Sequence, residues 1–402
     1  MDVCLRKICI VFHTPIIESY RSLFKFDDFI ERGYQLILLD ISAFTNHAAY
    51  KLTQTGLIDY RLSYVHRIMN YKELFRVLER CHESIFIMTF DCNVEFYPLY
   101  HYLARYRIKY GYMVLGANYQ TSSILSNGER IKAVFCNLSI IRVANGLFRR
   151  LPRERFGISP CSFVINNSPV EIDHFRKRFV CAPSTRFKVI HSNFYEEALM
   201  HKNEPRLVRE KYCVWLDFYA PYHPDVEMTE KKNPMNPDRY YRPLRKFFHW
   251  VEEYTGYKVI IAAHPRSDYS LHSEAYEGYR VEKFNTCMLV RDSEFVMTTA
   301  SSSFLYAIMY GKPLLFLIQD ELYSLPDNVA YAENVSQKLN KSPIYIEHIE
   351  QSQLPDLFDR ELKIDEKTYK KSANEYIKEG FDGTISGNSH ISDIIDLIES
   401  VS

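Results

Sequence analysis

The sequence predicts an α/β protein of two doubly wound, Rossmann-like domains, and three observations lead there. Its 402 residues exceed one ordinary α/β core and suit two domains. Short apolar runs alternate with amphipathic stretches in both halves, as parallel strands joined by helices require. A charged stretch over 201–211 separates the first series from the second.

In the first half, the apolar runs at 7–13, 34–40, 84–90 and 112–116 read as strands, and 17–32, 71–81 and 95–109 as the helices between them. Gly33 stands where a helix-ending glycine belongs, just before the second strand. Shorter runs at 162–166 and 187–192 flank the basic cluster Arg176, Lys177 and Arg178, and the crossing between domains is expected within 161–210. In the second half, strands are expected at 212–218, 257–263, 278–281, 294–298 and 313–318, with helices at 239–254, 286–291 and 302–310. The domains are therefore set at 1–200 and 201–364, with C-terminal helices over 365–402 expected to pack across the junction. Two such domains facing each other enclose a cleft between the carboxyl ends of their sheets, where open α/β folds bind ligands.

Composition narrows the function. Hydrophobic residues at 47% and charged residues at 25% describe a globular chain able to bury a sizeable core. Lysine plus arginine equals aspartate plus glutamate, 50 each, so no global field draws the chain to nucleic acid, and no nucleic-acid-binding module is present. The apolar run at 8–12 is too short for a signal-peptide core, and no stretch approaches the roughly 20 apolar residues of a membrane span, so a cytoplasmic protein is expected. The basic runs Arg149, Arg150, Arg153, Arg155 and Arg176, Lys177, Arg178 read as a solvated face, or as peripheral contact with the inner membrane or an anionic acceptor. The 9 scattered cysteines include no Cys-x-x-Cys pair and read as buried thiols in a reducing compartment. Tyr240, Tyr241, Phe247, Phe248 and Trp250 fall at helical spacing and read as core.

Three loops of the second half follow strands and concentrate polar groups. Asp217 ends the run Val214, Trp215, Leu216, so its carboxylate is expected at the cleft mouth, with Asp225 and Glu227 within loop reach. Glycosyl transfer needs such a carboxylate as base or as nucleophile, while a turn-capping aspartate is the plainer alternative. His264, Pro265 and Arg266 follow the run 259–263. The histidine can donate to a phosphate, the arginine can clamp a phosphate or carboxylate at two points, and the proline stiffens the turn. Ser301, Ser302 and Ser303 follow the run 295–297 and open a helix, where hydroxyls and backbone N–H groups form an anion site. Capping accounts for one serine and leaves the row unexplained.

These loops resemble the His-Pro and Ser/Thr motifs of bacterial sialyltransferases, polysialyltransferases and related capsule and lipopolysaccharide transferases of GT-B fold. The series Leu216, Asp217, His223, Pro224, Asp225, then Ala263, His264, Pro265, Arg266, is similar to a narrower group that includes retaining β-Kdo transferases. The resemblance covers about 212–322. It implies a GT-B-like architecture, two Rossmann-like domains facing a central cleft. It also implies transfer of an acidic sugar, Kdo or sialic-type, from a CMP-linked donor to a surface polysaccharide such as capsule or O-antigen. His264 and Ser301, Ser302 and Ser303 would hold the phosphate, and Glu321, with Gln319 and Asp320, would approach cytidine or ribose. In sialyltransferases the base lies in the first domain, where Asp91 is the best positional match. In a retaining enzyme Asp217, Asp225 or Glu227 would be the nucleophile. No Asp-x-Asp signature appears in a strand-end loop, so neither metal nor cofactor is expected beyond the donor. The acceptor would be a glycan or lipid-linked glycan. The competing readings are a CDP-glycerol-type or UDP-sugar GT-B enzyme, and a non-catalytic GT-B-like carbohydrate-binding subunit.

Overall fold

A computed structural model describes residues 6–53, 56–115, 140–223 and 233–401. The described residues divide into two compact units, the first formed by those of 6–115 and 140–190 together with 389–401, the second by those of 191–388.

Unit 1 holds seven strands: β1 (Lys7–Phe12), β2 (Gln35–Asp40), β3 (Val65–Arg67), β4 (Ile85–Met88), β5 (Tyr110–Val114), β6 (Phe163–Asn166) and β7 (Arg186–Val189). They pair in parallel in the order β3-β2-β1-β4-β5-β6-β7. The central β1 is buried on both faces, which is why its sequence is a continuous apolar run. Ile8, Ile10 and Phe12 enter one core layer, Cys9 and Val11 the other.

Unit 2 repeats the winding with β8 (Tyr212–Leu216), β9 (Lys258–Ala263), β10 (Arg280–Lys283), β11 (Val296–Thr298), β12 (Leu314–Ile318) and β13 (Ile344–Tyr345). The order β10-β9-β8-β11-β12-β13 is again all parallel. In each unit the winding direction reverses beside the first strand, between β1 and β4 and between β8 and β11. Those switch points are where an open α/β sheet leaves room for a ligand.

The helix Pro237–Thr255 shows how sequence sets one element. Asn236 accepts from the Arg239 N–H at 3.2 Å, Pro237 opens the first turn, and Gly256 ends the helix at φ 69°. Tyr240, Tyr241, Leu244, Phe247, Phe248 and Val251 follow the i, i+3, i+4 rhythm and are all buried, as their spacing predicts.

Three sequence expectations change. The stretch 17–32 is two helices, Ser19–Leu23 and Phe26–Glu31, because Lys25 turns left-handed at φ 58° and lets Phe24 and Phe26 both face the core. The crossing falls inside the expected 161–210, but the boundary moves from 200 to 190: β6 and β7 complete the sheet of unit 1, while the helix Asn193–His201 gives Tyr195 and Ala198 to a core of unit 2. The C-terminal helices part company. Glu366–Tyr376 packs Tyr369, Ala373 and Tyr376 into unit 2, and Ile391–Val401 packs Ile391, Ile394, Ile395 and Ile398 into unit 1. Among the described residues, no helix is long and apolar enough to cross a membrane.

Candidate active site

At the end of β8, Asp217 turns inward. It is 3% exposed. Its Oδ1 accepts from the Tyr219 N–H at 2.9 Å and the Tyr276 hydroxyl at 3.0 Å. Its Oδ2 accepts from the Tyr269 hydroxyl at 2.6 Å and lies 3.5 Å from the His264 nitrogen. Burial raises the carboxyl pKa, and these donors, led by Tyr269, pull it back toward the charged form. The expectation of a carboxylate standing at an open mouth is thereby corrected. Tyr269 and Tyr276 cover it, and its lone pairs are engaged in tying the loop after β8 to the loop after β9. Tyr219, at φ 59°, is held in a conformation uncommon for a bulky side chain, and the bond to Asp217 helps to fix it there. Asp225 and Glu227 lie outside the described residues.

The His264 loop is a tight turn. The Ser267 N–H and hydroxyl both donate to the His264 carbonyl, at 2.9 and 2.7 Å. His264 Nδ1 accepts from the Arg266 N–H at 3.2 Å, so the neutral ring carries its proton on Nε2 as a donor. Pro265 and Arg266 are exposed beside it. His223, from the loop after β8, brings its ring to 4.9 Å from that of His264. Sequence reasoning quoted His223 without giving it a role. The repeated pairing of His223 with Pro224 and His264 with Pro265 was the available signal.

Ser301, Ser302 and Ser303 precede the helix Phe304–Met309. Ser303 is its N-cap residue, yet no side chain caps the helix. Ser301 Oγ accepts from the Ser303 N–H at 3.3 Å, and Ser302 is exposed. Capping therefore does not consume the hydroxyl row. Register sets Leu216 opposite both Ala262 and Thr298, so the histidine and serine loops leave the sheet at one height on either side of β8. Two strand spacings, about 10 Å, separate their strands.

A cavity of about 500 Å³ opens farther along the same rim, lined by Asp238, Arg239, Arg242, Pro243, Asp320, Glu321 and Glu347. Glu321 lines it, with one carboxylate oxygen accepting from the Asn236 N–H at 2.6 Å. Pro243 lies inside the helix and has no N–H to give the Arg239 carbonyl, which leaves that acceptor without its usual helical partner. Gln319, fully buried, faces the Tyr240 hydroxyl, though neither group completes a well-formed hydrogen bond.

The switch point of unit 1 presents a second constellation. His13 follows β1 and packs beside the paired rings of Phe90 at 5.2 Å and Phe96 at 6.0 Å. Its Nδ1 is buried and makes no hydrogen bond. Burial lowers its pKa, and the charges of Asp91 and Glu95 oppose that shift. Asp91 follows β4 and accepts from Arg178 Nε at 2.6 Å. Arg153, expected on a solvated face, is 5% exposed and donates to the Arg178 carbonyl at 3.0 Å. Sequence reasoning missed His13, although Phe12, His13, Thr14 and Pro15 repeat the strand-end histidine near a proline seen at His264.

No protein-family model matches the chain. No curated protein matches it in sequence. Among solved structures, it is similar to the wall teichoic acid polymerase TagF with CDPG, at 12% identity and TM-score 0.49, over 99% of this chain and 90% of that one. It is similar to the S. aureus MnaA–UDP structure at 12% identity and TM-score 0.49, over 98% of each chain. It is also similar to Acinetobacter baumannii MurG at 6% identity and TM-score 0.47, over 98% of this chain and 99% of that one.

Proposed function

We propose that the chain is a GT-B-type, nucleotide-sugar-dependent glycosyltransferase whose donor is a CMP-linked acidic sugar of Kdo or sialic type. The observation that carries this reading is the rim of unit 2. There a histidine is fixed as an Nε2–H donor on one side of β8, and a serine row not spent on capping lies on the other. Fixed neutral donors suit one phosphate whose negative charge grows as the glycosidic bond breaks. Arg266 beside His264 offers a planar partner for the sugar carboxylate. The cavity containing Glu321 suits the nucleoside, with Glu321 for the ribose hydroxyls and the Arg239 carbonyl for the cytosine amino group.

Within unit 1, His13 is the group suited to take the proton of an acceptor hydroxyl. Its lowered pKa keeps it neutral at pH 7, and Asp91, oriented by Arg178, stabilises the imidazolium that forms. As the glycosidic bond breaks, the charge that develops on CMP meets the His264 and serine donors of unit 2. The leaving charge meets fixed donors, so the reaction proceeds without a divalent ion.

Turnover of CMP-Kdo, CMP-sialic acid and UDP-sugars with a glycan acceptor, in EDTA, tests the reading. CMP release with one CMP-sugar, unchanged by EDTA, is expected. Turnover with a UDP-sugar or CDP-glycerol instead would reject the CMP donor, and activity restored only by Mg²⁺ would reject the metal-independent step.

A further inference from the structure

At the start of β6, Cys161 and Cys181 lie side by side. The Cys161 N–H donates to the Val180 carbonyl at 2.8 Å. The Thr185 hydroxyl donates to the Cys161 carbonyl at 2.8 Å and accepts from the Ala182 N–H at 2.9 Å, so both segments are pinned around the pair. The sulfur atoms are 3.8 Å apart and both thiols are free. A disulfide holds its sulfur atoms about 2.05 Å apart, roughly 1.8 Å closer than this pair stands.

The two thiols are unequal. Cys161 is 2% exposed, whereas Cys181 is only half-buried. The hydrogen bond between the two sulfurs, with the guanidinium charges of Arg176 and Arg153 beside Cys181, lowers the Cys181 pKa and raises that of Cys161. Burial pushes the thiols of Cys9, Cys81, Cys213 and Cys287 up instead. Thiolate character and access therefore coincide at Cys181.

We infer that Cys161 and Cys181 form an oxidisable dithiol, a modification site for hydrogen peroxide. The Cys181 thiolate attacks one peroxide oxygen. The O–O bond breaks, the departing oxygen leaves as water after taking up protons, and Cys181 becomes a sulfenic acid. The Cys161 sulfur then attacks Cys181, the S–O bond breaks, and the hydroxyl leaves as a second water with the Cys161 proton. Two thiols lose two electrons, and one peroxide is reduced to two waters. The resulting bridge fastens the segment after the helix Ile172–Arg178, whose last residue holds Asp91, to the start of β6. The site stands independently of the donor chemistry above.

The test treats the reduced full-length chain with hydrogen peroxide, blocks the remaining thiols with N-ethylmaleimide, and maps peptides without reduction. The expected product is a peptide linking Cys161 to Cys181 that dithiothreitol separates. In Cys161→Ala a dimedone adduct is expected to accumulate at Cys181, and in Cys181→Ala residue 161 should remain a thiol. Wild-type protein in which Cys181 is alkylated, or is over-oxidised without a link to Cys161, would overturn the inference whatever the variants do.

Discussion

Asp217 is buried under two tyrosines, and His13, to which the sequence reading gave no role, stands at the switch point of unit 1. Asp217 is a tie, so Asp217→Asn is expected to cost about 1–3 kcal/mol in urea unfolding by leaving buried tyrosine hydroxyls poorly matched. Intact stability with abolished turnover would instead make Asp217 catalytic. Under the proposed mechanism His13→Gln lowers kcat about 10²- to 10⁴-fold, the usual contribution of a positioned base, and leaves donor binding intact. An unchanged kcat would remove His13 from the chemistry. The lowered His13 pKa also sets a pH effect with a definite sign. The unfolded chain takes up its proton near pH 6.5, before the folded one does, so the stability contribution is present above that pH and is lost as pH falls through the lowered value. His13→Gln should flatten that acid-side slope. His264, Arg266 and the serines were legible because polar groups after a strand stand out against an apolar run. The burial of Asp217 was not, because the tyrosines that cover it come 52 and 59 residues later. His13 escaped notice because a histidine ending an apolar run reads as part of that run.

Elements with strong internal rhythm followed their sequence. Pro237–Thr255 begins and ends close to the expected 239–254, because its caps and its apolar spacing agree. The stretch 17–32 misled because a left-handed lysine carries no sequence mark, and β3 and β13 escaped because three and two residues leave no periodicity to read. For Ile391–Val401 the pattern announces a buried face without saying which sheet receives it. Ile394 is fully buried among β-strand residues of unit 1. Ile394→Ala is accordingly expected to destabilise unit 1 by about 2–5 kcal/mol in urea. Unfolding of unit 1 indistinguishable from wild type would contradict that attachment.

Across the whole molecule, two units share one winding order, and polar groups gather at the switch point of each. The alternation of apolar runs made this architecture legible, since parallel strands joined by helices have few other ways to pack. The chemistry was legible only in part. Sequence located the polar loops after β9 and β11 of unit 2, whereas the cavity beside Glu321 and the His13 constellation depend on contacts between distant segments. The central claim is that His264 and the serine loop hold the phosphate of a cytidine nucleotide. It is tested most directly by thermal unfolding with CMP, CDP, UMP, UDP and GDP, because a ligand that binds only the folded state raises its stability with affinity. Stabilisation by CMP that His264→Ala abolishes is the predicted result. Stabilisation by UDP or GDP but not CMP, or a CMP effect that survives His264→Ala, would contradict it.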